Sequence, residues 1–326
     1  MSRPLLEVRN LRVEYATASG LVRAIDDVSL TLHPGEILGI AGESGSGKST
    51  LAQAILRVLP PPAIITGGAV EFEGRDLLGL DESELRALRW SRISMVFQGA
   101  MDALNPVITV GEQILDTLRA HARMEPTVAR NRALELLRMV GLPNDCLSSH
   151  AHQLSGGMRQ RVGIALALAL HPALVILDEP TTALDVIVER EILEGVRALQ
   201  QKLGFAVLFI THDLARMLEV SDRVAIFYGG RVAEVGTADQ VRRSPAHPYT
   251  QGLLRAFPSL HGDPGRLASI PGAPPTLRNP PPGCRFHPRC PVAVEACRIS
   301  APPMIEVAPS HRAACHLAAS ESPGDR

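Results

Sequence analysis

The chain has 326 residues, of which 45% are hydrophobic, and its formal net charge is −1. This size is sufficient for one large domain with an additional segment, and the near-neutral charge argues against nucleic-acid binding through bulk positive charge. The first thirty residues alternate as strands do, so no signal peptide is expected. The longest apolar stretch, residues 162–177, is interrupted by His171 and Pro172 and is too short to span a bilayer. We expect a soluble chain whose membrane role, if any, depends on partner chains.

A glycine-rich loop follows the first predicted buried strand, residues 36–41. The loop, residues 42–49, matches G-x-x-x-x-G-K-[ST] at every fixed position and precedes an amphipathic helix over residues 50–59. Lys and Arg together number 33, and only Lys48 and Lys202 are lysines, which suggests that a compact ammonium is required in the loop. Loop N–H groups hold phosphates, the lysine reaches the terminal ones, and the serine hydroxyl binds Mg²⁺. The predicted nucleotide contacts are Gly42, Ser44, Gly45, Ser46, Gly47, Lys48, Ser49 and Thr50.

Helical patterns follow this half of the chain. Residues 81–90 have a plausible N-terminal cap in Asp81 and Glu84. Residues 110–142 are rich in Leu, Arg and Ala and end at a Gly-Leu-Pro sequence. We interpret this region as a helical subdomain inserted between the glycine-rich loop and a second half.

A second glycine-rich turn lies in the sequence LSGGMRQR, residues 154–161. Gly156 and Gly157 leave backbone N–H groups accessible to an anion, Ser155 adds a donor, and the following helix offers its positive N-terminus. Alone, such a turn more often only changes chain direction. Its significance depends on the motifs around it.

Two more strand ends carry polar residues. The apolar run at residues 174–177 ends in Asp178 and Glu179, which are suited to hold Mg²⁺ and to polarise an attacking water. A buried strand predicted at residues 205–210 is followed by His212. Ligands bind at the carboxyl edge of open α/β sheets, so His212 is a candidate γ-phosphate contact, although a histidine there is usually a polar cap.

These motifs, in this order and together with Gln98 and the Ala-Leu-Asp sequence at residues 183–185, resemble the ATP-binding-cassette (ABC) ATPases over about residues 5–245. The resemblance implies an α/β fold: a P-loop NTPase core with a mixed sheet flanked by helices, an antiparallel β subdomain, and an inserted helical subdomain at about residues 99–160. It implies that ATP lies between the P-loop of one subunit and the LSGGMRQR segment of another. Tyr15 resembles the adenine-stacking aromatic, or is an ordinary strand tyrosine. Gln98 is implied to sense the γ-phosphate and to bind Mg²⁺, and Asp185 to cross the dimer interface.

After about residue 245 the composition changes. Ten prolines lie between residues 271 and 303, which predicts an irregular appendage without a helix or central strand. Four of the five cysteines lie here, namely Cys284, Cys290, Cys297 and Cys315. A disulfide, isolated thiols and a zinc site are alternatives, but zinc sites usually have C-x₂₋₄-C spacing, whereas longer loops suit an iron–sulfur cluster. His287, His311 and His316 are possible substitute ligands, and Cys146 lies apart.

Segments 244–250, 270–275 and 281–290 resemble the C-terminal extension of dipeptide/oligopeptide permease ATPases. In that family the four cysteines can bind a [4Fe–4S] cluster, which the resemblance carries to these four positions. One departure is visible, since Gly99 and Ala100 replace the usual Asp-Pro in a loop that faces the membrane partner. We predict a nucleotide-binding domain at residues 1–245 and an extension at residues 246–326.

The resemblance implies an ATPase on the cytoplasmic face of the bacterial inner membrane, peripheral to it, that powers import of di- or oligopeptides. The implied partners are a second, related ATPase, two transmembrane permease subunits and an extracytoplasmic substrate-binding protein, with no nucleic acid. Alternatives are a nickel or oligosaccharide importer, a soluble non-transport ABC ATPase acting on DNA or ribosomes, and a regulatory subunit whose cluster gates ATPase activity.

Overall fold

The computed structural model describes residues 3–18, 20–99, 103–122, 124–182, 184–256 and 270–318. Its contacts divide the chain into two compact units, which are described separately. The first unit consists mainly of His33–Glu36 and Gly79–Phe209. The second consists of Pro4–Leu32, Ile37–Leu78 and the chain from Ile210 onward.

The strands, in chain order, are β1 (Leu6–Thr17), β2 (Gly20–Leu32), β3 (Ile37–Ala41), β4 (Ala63–Phe72), β5 (Arg75–Asp76), β6 (Ile93–Val96), β7 (Leu174–Asp178), β8 (Ala206–Ile210), β9 (Arg223–Tyr228), β10 (Arg231–Thr237), β11 (Ile305–Ala308) and β12 (His311–Ala313). The α-helices are α1 (Lys48–Leu56), α2 (Glu82–Leu88), α3 (Val110–His121), α4 (Pro126–Met139), α5 (Gly156–Ala167), α6 (Val186–Leu203), α7 (Leu214–Val220), α8 (Ala238–Arg243), α9 (Pro248–Ala256) and α10 (Glu295–Ile299). Short 3₁₀ helices lie at Asn144–Ser148, Ala151–Gln153 and His287–Arg289.

An antiparallel sheet in the second unit has the strand order β2-β1-β4-β5. Along β1, Leu6, Val8, Leu11 and Val13 are buried, so one face of the strand supplies the core. Irregularities in the pairing of β1 with β2 allow Leu11 to follow Val8 on the buried side. This sheet is the predicted antiparallel β subdomain.

A second sheet of this unit has the order β11-β12-β10-β9-β3. Strand β3 is buried along its whole length and pairs in parallel with β9, as expected for an apolar strand covered on both faces. Strand β10 pairs antiparallel with β9 and with β12. The sheet is therefore mixed, as predicted, and the chain after residue 300 extends it.

The first unit contains the strand order β8-β7-β6, with β6 parallel to β7. Every residue of β6 and β7 is buried. Helix α2 begins with the predicted capping box of Asp81 and Glu84. The single helical pattern at residues 110–142 is two helices, α3 and α4, and Pro126 occupies the first turn of the second, where its missing N–H costs no hydrogen bond.

The proline-rich extension is irregular over most of its described length, as predicted, but it is not without regular structure. It contains α10 and the hairpin β11–β12, and Phe286, Cys297 and Ala313 are buried. The 245/246 domain boundary remains a prediction. Across the described residues, no helix combines the length and the apolar character that crossing a bilayer requires.

Candidate functional site

The P-loop of the second unit connects β3 to α1. Gly47 caps the helix with φ 103°, and Gly42 has φ 154°. A Cβ atom at Gly42 would lie 2.2 Å from the Phe227 carbonyl oxygen, and one at Gly47 would lie 2.4 Å from the Ala24 carbonyl oxygen. Both positions therefore require glycine, because backbone atoms that cannot rotate away occupy the space of a side chain.

Lys48 is buried at the start of α1, only 5% exposed. Its Nζ donates to the carbonyl oxygens of Gly42 at 2.7 Å and of Glu43 at 3.1 Å, so the ammonium lies inside the curve of the loop. Ser46 Oγ is buried and lacks a hydrogen-bond partner within the residues that the structure describes. A buried polar atom normally has a partner, so this hydroxyl fits a loop whose donors bind an anionic ligand.

The remaining predicted contacts of this unit lie around the loop. Ser44 and Gly45 are exposed at its tip, and Ser49 and Thr50 are half-buried in the first turn of α1. The hydroxyls of Tyr15 and Thr50 are 3.4 Å apart, which places the Tyr15 ring beside the start of the helix. This position is compatible with adenine stacking.

His212 lies two residues beyond the end of the strand that precedes it and is exposed. The preceding residue, Thr211, donates its N–H to the carbonyl of Ile40 at 3.4 Å. The segment that contains Thr211 and His212 therefore lies beside the end of β3, where the P-loop begins. Asp213 caps α7, which fixes the direction of this turn.

In the first unit, Asp178 is the last residue of β7 and is 2% exposed. Glu179 follows with φ 46°, a left-handed conformation that is uncommon for a residue with a side chain and that costs about 1 kcal/mol or more. Such strain persists where the surroundings determine the conformation, and it is concentrated at functional sites. Asp178 supplies a hard carboxylate oxygen of the type that Mg²⁺ prefers.

Two side chains hold the Glu179 carboxylate. Gln98 Nε2 donates to Glu179 Oε2 at 3.0 Å, and Thr182 Oγ1 donates to the same oxygen at 3.1 Å. The structure thus brings together Gln98 and Glu179, two of the three residues predicted to act at the γ-phosphate, of which His212 is the third. Thr182 was not predicted from the sequence. Its proximity follows from the turn after β7.

The LSGGMRQR segment begins α5. Ser155 is the N-cap and its Oγ accepts from the Met158 N–H at 3.3 Å. Gly157 is needed for packing, in addition to its predicted access to an anion, since a Cβ there would lie 2.6 Å from Val188 Cγ1 on α6. Asp185 is the N-cap of α6 and accepts from the N–H groups of Ile187 and Val188.

The fixed starts of α5 and α6 therefore carry the predicted contacts Ser155, Gly156, Gly157 and Asp185, all of them exposed or half-buried. Ala183, from the predicted Ala-Leu-Asp sequence, and Ala100, from the loop that departs from the family, lie outside the described residues.

The Cys284 thiol lies within electrostatic range of the other three tail cysteines. The Cys284 N–H donates to the Cys297 carbonyl at 2.8 Å. Burial raises the pKa of the Cys284 thiol to about 11, and the charges of Cys297, Cys315 and Cys290 act in the same direction. All five cysteines are free thiols. Within the described part of the chain, however, no three His, Cys, Asp or Glu side chains form a group with metal-ligand geometry.

The substitute histidines have other contacts. His287 Nδ1 lies 2.9 Å from the Cys284 carbonyl oxygen, and His316 Nε2 lies 2.9 Å from that of Ser300. His311 Nε2 lies 2.7 Å from Glu234 Oε1, in a buried pair. Each contact occupies one nitrogen of its ring.

Sequence reasoning missed three residues that converge on the P-loop. Glu43 lies within the loop, at a position that its pattern leaves unspecified. Tyr249 and Arg289 lie in segments that served only as markers of resemblance, and the structure places both against Glu43. Their types were the available signal, because a buried tyrosine and a buried arginine require polar partners.

Two family models match the chain. One, described as "ABC transporter", matches residues 25–182. The other, described as "Oligopeptide/dipeptide transporter, C-terminal region", matches residues 233–297, which include three of the four clustered cysteines.

Two similar proteins match this chain over most of their own length. A dipeptide transport ATP-binding protein, DppD, from Caldanaerobacter subterraneus is 43% identical over 96% of this chain and 97% of its own length. The oligopeptide transport ATP-binding protein OppD of Bacillus subtilis is 45% identical over 94% of this chain and 87% of its own length. Among solved structures, the dimeric post-hydrolysis state of the cassette MJ0796, bound to ADP and Pi, is 31% identical with a TM-score of 0.65 and covers 72% of this chain and 98% of that one.

Proposed function

Because the chain belongs to the ABC transporter family, as an ATP-binding subunit of the oligopeptide and dipeptide type, we propose that it hydrolyses ATP to power peptide import across a bacterial cytoplasmic membrane. The observation that carries this proposal is the presence of a P-loop cassette and an oligopeptide-type C-terminal region in one chain. Relatives similar along nearly the whole chain are named as dipeptide or oligopeptide transport proteins. This supports peptides over nickel or oligosaccharides as cargo.

The residue roles follow from the chemistry of each site. In the second unit, the P-loop N–H groups and Lys48 hold the ATP phosphates, Tyr15 contacts adenine, and His212 contacts the γ-phosphate. In the first unit, Glu179 accepts a proton from the attacking water, and Gln98 holds the Glu179 carboxylate. Ser49, Asp178 and Gln98 are the proposed Mg²⁺ ligands. When bound, Mg²⁺ neutralises the charge that develops on the phosphate oxygens.

Ser155, Gly156 and Gly157 act on the nucleotide of a second ATPase subunit, with Asp185 at the interface between the two. The related cassette MJ0796 was solved as a dimer. ATP favours the closed pair of ATPase subunits because it binds that state better than the open one. Hydrolysis removes the ATP, so the closed state is no longer favoured. In this proposal the second ATPase is a related but different chain, and closing and opening drive two permease subunits at the cytoplasmic face of the membrane.

The test is reconstitution of the whole transporter in proteoliposomes, with its permease subunits, both ATPases and an extracytoplasmic binding protein. We expect ATP hydrolysis to rise when the binding protein carries a di- or oligopeptide and labelled peptide to accumulate inside the vesicles. Stimulation by nickel or an oligosaccharide instead would replace the proposed cargo. If the native membrane fraction contained no permease partner bound to this chain, yet the chain hydrolysed ATP, a soluble, non-transport ATPase would be favoured.

We further propose that Cys284, Cys290, Cys297 and Cys315 bind a [4Fe–4S] cluster. Four thiols in one extension supply the donors that such a cluster takes, although their present arrangement is not a formed ligand set. The structural role of the cluster would be to hold together a segment with little apolar core of its own.

Anaerobically purified protein should be brown and contain about four irons per chain, as a cubane cluster requires. Cys290→Ser should lower the iron content, whereas Cys146→Ser, a change at the cysteine that lies apart from the cluster, should leave it unchanged. A colourless protein that contains zinc would contradict the cluster. If turnover differed between oxidised and reduced protein, the regulatory alternative would gain support.

A further inference from the structure

Glu43 of the P-loop is held by the C-terminal extension. Arg289 donates from Nη1 to Glu43 Oε2 at 2.7 Å and from Nη2 to Glu43 Oε1 at 3.0 Å. A bidentate pair of this kind fixes the position and the plane of the carboxylate, which a single point charge does not. The Arg289 side chain is 6% exposed and the Glu43 side chain 25%, so water competes little for the contact.

The Arg289 guanidinium is itself immobilised. Nε donates to the Pro271 carbonyl at 2.9 Å, Nη1 also donates to Tyr228 Oη at 3.2 Å, and Nη2 also donates to the Ile270 carbonyl at 3.4 Å. Together with the two bonds to Glu43, all five N–H donors of the guanidinium have acceptors. Arg289 therefore transmits the position of the extension to the loop.

A second residue of the C-terminal region holds the backbone at the same position. Tyr249 on α9 is fully buried, and its Oη accepts from the Glu43 N–H at 3.0 Å. Its ring packs 4.5 Å from that of Tyr228 and 5.4 Å from that of Phe286, between centroids. Tyr249 is thus fixed by a cluster of aromatic rings to which Phe286 of the extension also belongs.

The third contact at Glu43 comes from the P-loop lysine. Its carbonyl oxygen accepts from Lys48 Nζ at 3.1 Å, next to the Gly42 carbonyl at 2.7 Å. The side chain, N–H and carbonyl of one P-loop residue are therefore bound by Arg289, Tyr249 and Lys48 respectively. These contacts set both the path of the loop and the place where the lysine lies.

The extension does not need Arg289 to stay attached. Arg285, from the same segment, pairs with the buried Asp26 at 2.5 Å and donates to the Gly229 carbonyl. The extension also pairs β12 with β10. The Arg285 contacts and the β12–β10 pairing already hold the extension in place. The Arg289–Glu43 contact is therefore not required for attachment, and its effect is to position the P-loop.

We infer that Arg289 and Tyr249 are positioning residues for the phosphate-binding loop. They hold Glu43 so that the loop keeps its shape before nucleotide arrives, and binding does not have to order it. This inference rests on the proposed ATPase function. Its consequence is that nucleotide affinity depends on an extension outside the cassette.

The test measures binding of the fluorescent analogue mant-ATP, with Mg²⁺, to the full-length chain. Arg289→Ala should raise Kd about tenfold, the size expected for loss of charge-assisted hydrogen bonds. Arg289→Lys should give an intermediate Kd, because an ammonium keeps the charge but cannot span both carboxylate oxygens. Arg298→Ala removes an exposed arginine that neighbours Cys297 as Arg289 neighbours Cys290, and it should leave Kd unchanged.

Tyr249→Phe provides an independent test, because it keeps the packed ring and removes only the hydroxyl. We expect a cooperative thermal transition and a several-fold higher Kd. In the assembled transporter, KM for ATP should rise in both variants while kcat changes by less than about twofold, since neither residue touches the reacting atoms. Adding Glu43→Gln to Arg289→Ala should cause little further loss, because the two act through one contact.

Unchanged Kd in folded Arg289→Ala and Tyr249→Phe proteins would overturn the inference and leave the ATPase proposal intact. Equal losses of kcat and kcat/KM at constant KM would also overturn it, as this would indicate a catalytic role. Failure of the wild-type chain to bind mant-ATP would instead refute the ATPase proposal.

Discussion

At the scale of single residues, Glu179 combines an unfavourable backbone with a well-held side chain. Its φ of 46° is strained, yet Gln98 and Thr182 both donate to the same carboxylate oxygen. This is the arrangement expected of a general base whose position matters more than its contribution to stability.

Glu179→Gln should bind ATP and hydrolyse it about 10²- to 10⁴-fold more slowly, because an amide cannot accept the proton of the attacking water. Single-turnover hydrolysis in the assembled transporter measures the effect, and gel filtration with ATP should reveal an accumulated closed dimer. Glu194→Gln, at an exposed glutamate of the same unit that pairs with Arg190 of its own helix, is the matched control. Normal turnover in Glu179→Gln would remove this residue from the mechanism.

At the scale of secondary-structure elements, the starts of α5 and α6 are packed against each other. Gly157, in the LSGGMRQR segment, leaves room for Val188, and Asp185 fixes the first turn that carries this valine. The structure shows one role of this glycine, the close approach of two helices. The sequence alone cannot separate this role from the proposed access of its N–H to an anion.

Gly157→Ala should lower the free energy of unfolding by about 1–3 kcal/mol, because the new methyl group overlaps the stiff, branched side chain of Val188. Chemical denaturation measures the loss. Val188→Ala should be partly compensatory, so the double variant should be more stable than additivity predicts. Additive losses would show that the contact is relieved elsewhere. Gly195→Ala, at an open position of α6, is the control and should not destabilise the protein.

At the scale of the whole molecule, the extension shares a buried polar network with the rest of the second unit. Glu234 is fully buried, contacts His311 of β12, and accepts from the N–H groups of Ala246 and His247. His247 Nδ1 accepts in turn from the Tyr249 N–H at 3.0 Å, which requires an unprotonated nitrogen. Global stability should therefore depend on pH through this network.

Burial lowers the pKa of His247 from 6.5 to about 4, although the Glu234 charge opposes the shift. Between pH 6.5 and 4 the unfolded chain takes up a proton that the folded chain excludes, so stability is full above pH 6.5 and falls as the pH drops. The loss attributable to His247 should approach about 3 kcal/mol.

His247→Asn keeps an acceptor near the Nδ1 position but does not titrate there, so its stability should fall less over this interval. Denaturant midpoints at a series of pH values measure the difference. His152→Asn, at an exposed histidine, should follow the wild type. Identical pH profiles for wild type and His247→Asn would show that His247 does not carry the dependence.

The sequence by itself determined which groups form the candidate site. The P-loop, the acidic end of β7 and the LSGGMRQR turn were identified because their chemistry depends on residue types at fixed short spacing, which the chain displays directly. The cap of α2 and the buried strands β3 and β7 were predictable for the same reason, since caps and apolar runs are local. The regular structure within the extension was underestimated, because its hairpin is stabilised by pairing with β10 rather than by its own pattern.

Only the tertiary structure decided which distant residues meet. Arg289 lies 246 positions from Glu43, and no local pattern relates a buried arginine to one carboxylate among the chain's 34 acidic residues. The Gln98–Glu179 contact and the Gly157–Val188 approach are likewise products of packing. Spacing along the chain specifies the groups available for chemistry, whereas the burial of elements against each other specifies which of those groups are held, and by what.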